Sequence, residues 1–242
     1  ELATTVLDRA REFQPGEALV YSNLGFVYLE QGKKTEAVEA FRKATELRDD
    51  LPEVLNNLGA LYVETRDYES AIQSLQRALA LYPDFAKAFV NLGNAYKGNK
   101  QYAEAAGAYR QAKQLQPGLH AVSYNLGVLH MDNLLPNVDR LARWDKAKEH
   151  LQAYLSNGKL DDEEKKRVEG LIKEAARGKT REARRIESEK KRAARKAKRE
   201  AEKKKKAEEA AKKAAEEAKA APGGAPKAED KPADKAAPGG AK

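Results

Sequence analysis

Several chemically useful features are missing from this sequence of 242 residues. It contains no cysteine, which excludes disulfides, thiolate metal sites and a cysteine nucleophile. Its three histidines leave little material for a histidine-built catalytic or zinc centre. No apolar run approaches the roughly 18 residues that a membrane span requires. No signal peptide is visible, yet the chain begins with Glu1 rather than methionine, so we expect an upstream segment in the full-length protein.

The last third of the chain lacks aromatic residues and carries an excess of basic charge. No aromatic residue follows Tyr154. Residues 1–160 carry 19 basic and 20 acidic side chains, whereas residues 161–242 carry 27 basic and 18 acidic ones. Because large apolar side chains are needed to fill a core, we expect only the first part to bury a sizeable one.

The first part contains an internal repeat. The tripeptide Asn-Leu-Gly recurs every 34 residues, beginning at Asn23, Asn57, Asn91 and Asn125. Three places after each glycine stands an aromatic residue or, in the fourth copy, a histidine: Tyr28, Tyr62, Tyr96 and His130. A second motif, alanine followed four places later by a large residue, recurs at Ala37 and Phe41, Ala71 and Leu75, and Ala105 and Tyr109. The apolar residues have helical spacing, so each unit is predicted to be a pair of antiparallel helices.

These motifs resemble the tetratricopeptide repeat (TPR), in which an aromatic-x2-Leu-Gly-x2-Tyr helix pairs with an Ala-x3-Phe helix. The resemblance covers residues 1–160 and implies an all-α fold, an α-solenoid whose helical hairpins form a right-handed superhelix. It divides this region into a half repeat at 1–17 and repeats at 18–51, 52–85, 86–119 and 120–160. A glycine inside a helix costs about 1 kcal/mol against alanine. Its recurrence therefore predicts close packing on the second helix, near Ala37, Ala71 and Ala105.

The fourth repeat carries an insertion near residues 131–138. Its second helix aligns best on Trp144, Ala147 and Leu151, which places Ala147 eight residues later than the period requires. Two interpretations remain open. The insertion is either a lengthened loop packed on its own array or a lip over the concave face.

The remaining residues have a different organisation. Residues 161–178 are predicted to form a capping helix that ends at Gly178, because such arrays need a terminal helix to cover the last repeat. Residues 179–221 are rich in Lys, Glu and Ala and resemble the helical spacers of bacterial envelope proteins. Their Glu-to-Lys pairs four places apart, such as Glu187 with Lys191 and Glu200 with Lys204, favour a solvated single helix. Residues 222–242, rich in Pro, Gly and Ala, are predicted to be a disordered tail.

The candidate binding residues follow from the TPR resemblance. It implies that the first helix of each unit lines the concave groove and that the residue before each Leu-Gly pair points into it. That residue is Asn23, Asn57, Asn91 or Asn125. A carboxamide can donate and accept, so such a row could hold the backbone of an extended peptide; alternatively, the amides serve the array's own hydrogen bonds. Further groove candidates one helical turn away are Asn56, Asn94, Phe26, Lys87, Lys97, Glu53 and Tyr124.

A non-enzymatic adaptor is the function that these patterns favour. No nucleotide-binding glycine loop, metal-ligand cluster or nucleophile–base pair is present, so we expect no catalysis and no cofactor, and we interpret His120 and His130 as structural. The expected partner is a protein that places a peptide or helix in the groove. A bacterial envelope or motility assembly is favoured slightly over a cytoplasmic location.

Two alternatives stay open. Residues 177–206 carry 16 basic and 5 acidic side chains and could bind nucleic acid or an anionic surface, although no aromatic residue is interleaved for base stacking. The chain could also be the non-catalytic TPR region of a larger enzyme.

Overall fold

The computed structural model describes residues 2–133, 135, 137–157 and 159–220, and all regular structure in these ranges is helical. In chain order the helices are α1 (Leu2–Phe13), α2 (Ala18–Glu30), α3 (Lys34–Leu47), α4 (Pro52–Glu64), α5 (Tyr68–Leu81), α6 (Ala86–Gly98), α7 (Tyr102–Leu115), α8 (His120–Asp132), α9 (Ala142–Asn157) and α10 (Asp162–Ala220). The chain divides into two compact units, Glu1–Arg185 and Ile186–Lys242. The predicted all-α solenoid with a long C-terminal helix is confirmed, and the predicted tail at 222–242 lies outside the described residues.

Within the first unit, helices pair into hairpins: α2 with α3, α4 with α5, α6 with α7, and α8 with α9. In three of these hairpins the turn contains a residue with positive φ at the same place, namely Gly32 (74°), Arg66 (64°) and Lys100 (62°). Glycine adopts this conformation without a steric penalty, whereas a residue with a Cβ loses roughly 1 kcal/mol. The turn geometry is therefore retained even where the sequence does not supply glycine.

The repeated glycine makes room for one large side chain from the partner helix. A Cβ built on Gly25 would lie 2.4 Å from the Phe41 ring, and one on Gly93 would lie 2.5 Å from the Tyr109 ring. Gly59 faces Leu75 and Gly127 faces Leu151 in the same way. The glycines thus face the large residues of the second motif. The close packing predicted from the recurring glycines is confirmed. The nearest atoms belong to the large residue one helical turn after Ala37, Ala71 and Ala105, and these alanines are fully buried.

Successive hairpins share hydrophobic clusters. One cluster joins the second helix of the first hairpin, through Phe41 and Ala44, to Val54 and Leu58 of α4. Equivalent clusters join α5 to α6 and α7 to α8. In the last one, Leu151 of α9 packs in a cluster with Val168 and Ala175 of α10. Each hairpin therefore buries its apolar surface against the next, as an array requires.

The two ends of the array differ. Helix α1 has no buried residue; Leu7 and Ala10 pack against Val20 and Leu24, while Leu2 and Phe13 are 80% and 83% exposed. At the other end, the described residues of the α8–α9 connection include Leu135, which is buried, and Val138, both in contact with the α7–α8 cluster.

Helix α10 does not end at Gly178, where the sequence indicated a stop. A Cβ at Gly178 would lie 2.4 Å from the Trp144 ring, so this glycine also serves a close helix contact. The helix is held beyond that point by an ion pair between Lys179 and Asp145 at 2.7 Å and by Arg140, which donates to Glu182 at 2.6 Å. Residues 179–185 therefore belong to the first compact unit.

In the second unit, every described side chain from 187 to 217 is exposed. The Glu187–Lys191 pair lies within 3.4 Å as expected, but the further ion pairs have the reverse order, with Lys196–Glu200 at 3.9 Å and Lys204–Glu208 at 4.0 Å. Long exposed side chains can pair with either neighbour at little cost in free energy, since each pair contributes only a few tenths of a kcal/mol. None of the described helices combines the length and apolarity that crossing a bilayer requires.

Candidate functional site

The four asparagines of the repeated motif lie on the first helices of the hairpins. Asn23 on α2 is exposed, while Asn57 on α4, Asn91 on α6 and Asn125 on α8 are half-buried. We call these four side chains the amide row. None of them is sealed in the interior, so each can present part of its carboxamide to a ligand.

Two members of the row are held by hydrogen bonds between successive hairpins. Asn91 donates through Nδ2 to Oδ1 of Asn56 at 2.9 Å, and Asn125 donates to Oδ1 of Asn94 at 3.3 Å. Asn56 is 8% exposed. Asn56 and Asn94 therefore serve hydrogen bonds of the array and orient Asn91 and Asn125, while peptide binding by the asparagines stays a prediction.

Asn94 is fixed by a buried tyrosine. The Tyr109 hydroxyl donates to Asn94 Oδ1 at 2.6 Å, and the Tyr109 side chain is fully buried. Burial raises the pKa of Tyr109 well above its usual value, which keeps the hydroxyl protonated and able to donate. The same tyrosine fills the space beside Gly93, so the core of the third hairpin orients a surface amide.

The amide row retains hydrogen-bonding capacity. Asn57 donates to the backbone oxygen of Glu53, in its own helix, at 3.0 Å. Within the described ranges, the side chain of Asn23 makes no hydrogen bond, and the Oδ1 atoms of Asn91 and Asn125 accept none. Neutral amides do not titrate in the physiological range, so hydrogen bonding through this row would be insensitive to pH.

The other groove candidates differ in how much of their side chain is exposed and in what they pack against. Phe26 is 37% exposed and packs edge-on against Phe41 at 5.1 Å, Lys87 and Glu53 are exposed, and Lys97 is half-buried. Tyr124, by contrast, packs on Tyr154 at 5.3 Å. Sequence reasoning missed Leu19, which is 48% exposed one helical turn before Asn23. Its helical spacing from Asn23 and Phe26 was the available signal.

The arrangement offers hydrogen bonds and apolar contact rather than reactive groups. Among the described residues, no group of three or more His, Asp or Glu side chains could hold a metal ion. The amide row lies beside the partly exposed apolar side chains Leu19 and Phe26 at its α2 end. Such a surface can hold a peptide backbone through its amide and carbonyl groups and take an apolar side chain at one end.

The sequence comparisons identify the repeats. A family described as tetratricopeptide repeat matches residues 56–120, and a family described as TPR repeat matches residues 27–65. No curated protein matches the chain significantly in sequence.

Solved structures share the fold. MamA (41 to end) from Desulfovibrio magneticus RS-1 is 22% identical, with a TM-score of 0.57, over 63% of this chain and 82% of its own. The Cut9–Hcn1 complex of the APC/C is 24% identical, with a TM-score of 0.58, over 71% of this chain and 32% of its own. YrrB, described as a TPR protein with an unusual peptide-binding site, is 24% identical, with a TM-score of 0.55, over 63% of this chain and 75% of its own. At these identities the likeness concerns the fold alone.

Proposed function

We propose, from the tetratricopeptide repeats that this chain carries over residues 27–120, that it is a non-enzymatic adaptor whose amide row binds an extended segment of a partner protein. The TPR fold supports a protein–protein interaction scaffold, and proteins of this fold are typically non-catalytic. Stacked repeats create extended surfaces suited to a peptide. Beyond this, the proposal states which surface of the protein binds the partner and which groups of the partner that surface recognises.

The observation that carries the proposal is the orientation of the amides. Asn91 and Asn125 are each held by one donor bond to the preceding hairpin, which leaves their oxygens available. In the described part of the chain, the side chains of Asn23 and Asn57 make no hydrogen bond to another helix. Side chains that are already ordered lose less entropy on binding. A row of neutral amides, two of them ordered in this way, suits main-chain groups better than charged side chains.

The partner's main chain is therefore the proposed ligand, with limited dependence on its sequence. Leu19 and Phe26 would favour an apolar residue at the end of the peptide that lies on α2. Membership of a bacterial envelope or motility assembly remains a further part of the proposal. It is supported by the resemblance of residues 179–221 to envelope spacers.

The double variant Asn23→Ala with Asn57→Ala tests the proposal on the full chain. The measured quantity is its affinity for a library of degenerate 12-residue peptides. Two lost hydrogen bonds contribute about 0.5–1.5 kcal/mol each, so peptide affinity is expected to fall about tenfold or more. Unfolding should change little, because neither side chain bonds to another helix.

Asn99→Ala is the matched control, since Asn99 is an exposed asparagine in the α6–α7 turn whose side chain bonds only to Gln101 in the described structure. Its affinity for the peptides should equal that of the unmodified protein. Equal binding by the double variant, or no peptide binding by the unmodified protein, would contradict the proposal.

The basic part of α10 supports a second candidate function. Its described side chains from 187 to 217 are exposed, and 177–206 holds 16 basic against 5 acidic residues. Such a surface would bind nucleic acid through phosphates and release counterions on binding.

Replacing the four lysines 203–206 by glutamine tests this candidate. If nucleic acid is the ligand, the slope of log affinity for a duplex DNA against log salt should become shallower by roughly 3. An unchanged slope, or no DNA binding near physiological salt, would exclude this function for the helix. The adaptor proposal predicts that the chain does not bind DNA near physiological salt.

A further inference from the structure

A cleft of about 600 Å³ lies between α7 and α9, on the second helices of the third and fourth hairpins. Leu126 and His130 of α8 line it, and so do Leu135, Asn137 and Val138 of the α8–α9 connection. Its volume falls in the range of small-molecule sites. None of the four asparagines of the amide row lines the cleft, so the cleft is a separate feature.

One wall of the cleft is apolar. Leu126 is 2% exposed and Leu135 is 5% exposed, and both contribute to the cluster that joins α7 to α8. Ala106 of α7 and Val138 extend the same surface. This wall can bury the apolar body of a ligand.

The lining also carries basic charge. Arg110 and Lys113 come from α7, Lys146 and Glu149 from α9. Three cations therefore face one carboxylate, and none of the four forms an ion pair within the described part of the chain. An excess of unneutralised positive charge in a partly closed cleft favours an anion.

The cleft also contains a buried histidine with one ring nitrogen that is unpartnered in the described structure. His130 is 4% exposed, and its Nδ1 has no hydrogen-bond partner among the described residues. Its ring stacks on that of His150 at 5.6 Å with an interplanar angle of 12°. An unsatisfied buried polar atom costs about 1–3 kcal/mol, so a group that bonds to it stabilises the site. The sequence favoured a structural role for His130 and gave no sign of its contact with His150.

We propose that this cleft binds a small organic anion, with its charged head group among Arg110, Lys113 and Lys146 and its apolar body against Leu126 and Leu135. His130 supplies a further hydrogen bond at the inner end. The head group is a carboxylate or a phosphate, since both satisfy the same cations. This activity is additional to peptide binding and does not depend on it.

Calorimetric titration of the full chain tests the proposal with named probes. These are linear alkyl carboxylates from butanoate to decanoate, octyl phosphate, and octanol as the neutral analogue. An alkyl carboxylate or octyl phosphate is expected to bind at least tenfold more tightly than octanol, and the tighter of the two identifies the head group. Equal binding of octanol, or no binding of any anion, would overturn the proposal.

Two variants locate the site. Lys113→Gln with Lys146→Gln should weaken anion binding at least tenfold, whereas Lys43→Gln with Lys148→Gln, which removes two exposed lysines outside the cleft, should not. His130→Tyr introduces the residue that stands at the corresponding place of the other hairpins, as in Tyr96, and should fill the cleft. It should abolish binding while circular dichroism shows an unchanged helix content. Retention of tight binding by both cleft variants would place the anion elsewhere and overturn the assignment.

Discussion

Replacing Gly93 by alanine is expected to destabilise the protein by about 2 kcal/mol, while the same change at Gly107 stabilises it by about 0.5–1 kcal/mol. Both glycines lie in helices, and alanine favours a helix over glycine at either place. At Gly107 nothing lies within 4 Å of an added Cβ, so this preference acts alone. At Gly93 the added Cβ meets the Tyr109 ring at 2.5 Å.

Tyr109 has little freedom to move away. It is fully buried, and its hydroxyl is held by Asn94 at 2.6 Å. Relief of the clash therefore separates α6 from α7 or breaks the bond that orients Asn94. Urea unfolding of the two variants measures the difference. Equal stability of the Gly93 and Gly107 variants would show that the hairpins do not depend on this contact.

Acidification from pH 6.5 to pH 4 is expected to destabilise the first unit through its stacked histidines. Burial, followed by the charges of His150, Lys146 and Arg110, lowers the pKa of His130 to about 4. Burial, followed by Lys113 and Lys146, lowers the pKa of His150 to about 4. The unfolded chain binds these protons at a higher pH than the folded chain does. The contribution of these two histidines to the free energy of unfolding is therefore fully present above pH 6.5. It decreases as the pH falls, and the decrease ends below about pH 4.

The expected loss is on the order of 3 kcal/mol from His130, since one pKa unit corresponds to about 1.4 kcal/mol. The more exposed His150 contributes less. The charges that line the same cleft are Arg110 and Lys113 of α7 and Lys146 and Glu149 of α9, of which only Glu149 opposes the effect.

His130→Tyr isolates this contribution. Tyrosine is uncharged throughout the acid range, so the variant should show a flatter curve of unfolding free energy between pH 6.5 and pH 4.5. Chemical denaturation at a series of pH values provides the measurement. Parallel curves for the variant and the unmodified protein would assign the acid sensitivity to other groups.

The periodicity of the sequence was sufficient to predict the hairpins but not the contacts between them. The 34-residue recurrence of Asn-Leu-Gly indicates helices and their order because each unit repeats one local pattern. It does not distinguish Asn56 from Asn57, although Asn56 accepts a hydrogen bond from the next hairpin and Asn57 bonds to its own helix. That distinction depends on how closely α4 and α6 approach, which no local pattern specifies.

The continuation of α10 past Gly178 and the stacking of His130 on His150 were not predicted, for a related reason. After an apolar stripe, Gly178 has the sequence features of a helix end, but Trp144 of another helix occupies the space of its missing Cβ. His130 and His150 lie on different helices joined by an irregular connection, so sequence spacing does not indicate their stacking. Contacts between elements decide these cases, whereas propensities decide the elements themselves.

The side-chain amide resonances of asparagine offer the most direct test of the adaptor proposal. A peptide selected from the 12-residue peptide library would be titrated into the nitrogen-15-labelled full chain. The side-chain NH2 signals would be followed by nuclear magnetic resonance. The proposal predicts that the signals of Asn23, Asn57, Asn91 and Asn125 shift together and saturate with the bound fraction, while that of Asn99 stays in place. Shifts confined to residues of the second helices or of 177–206, with all four amide signals unmoved, would contradict it.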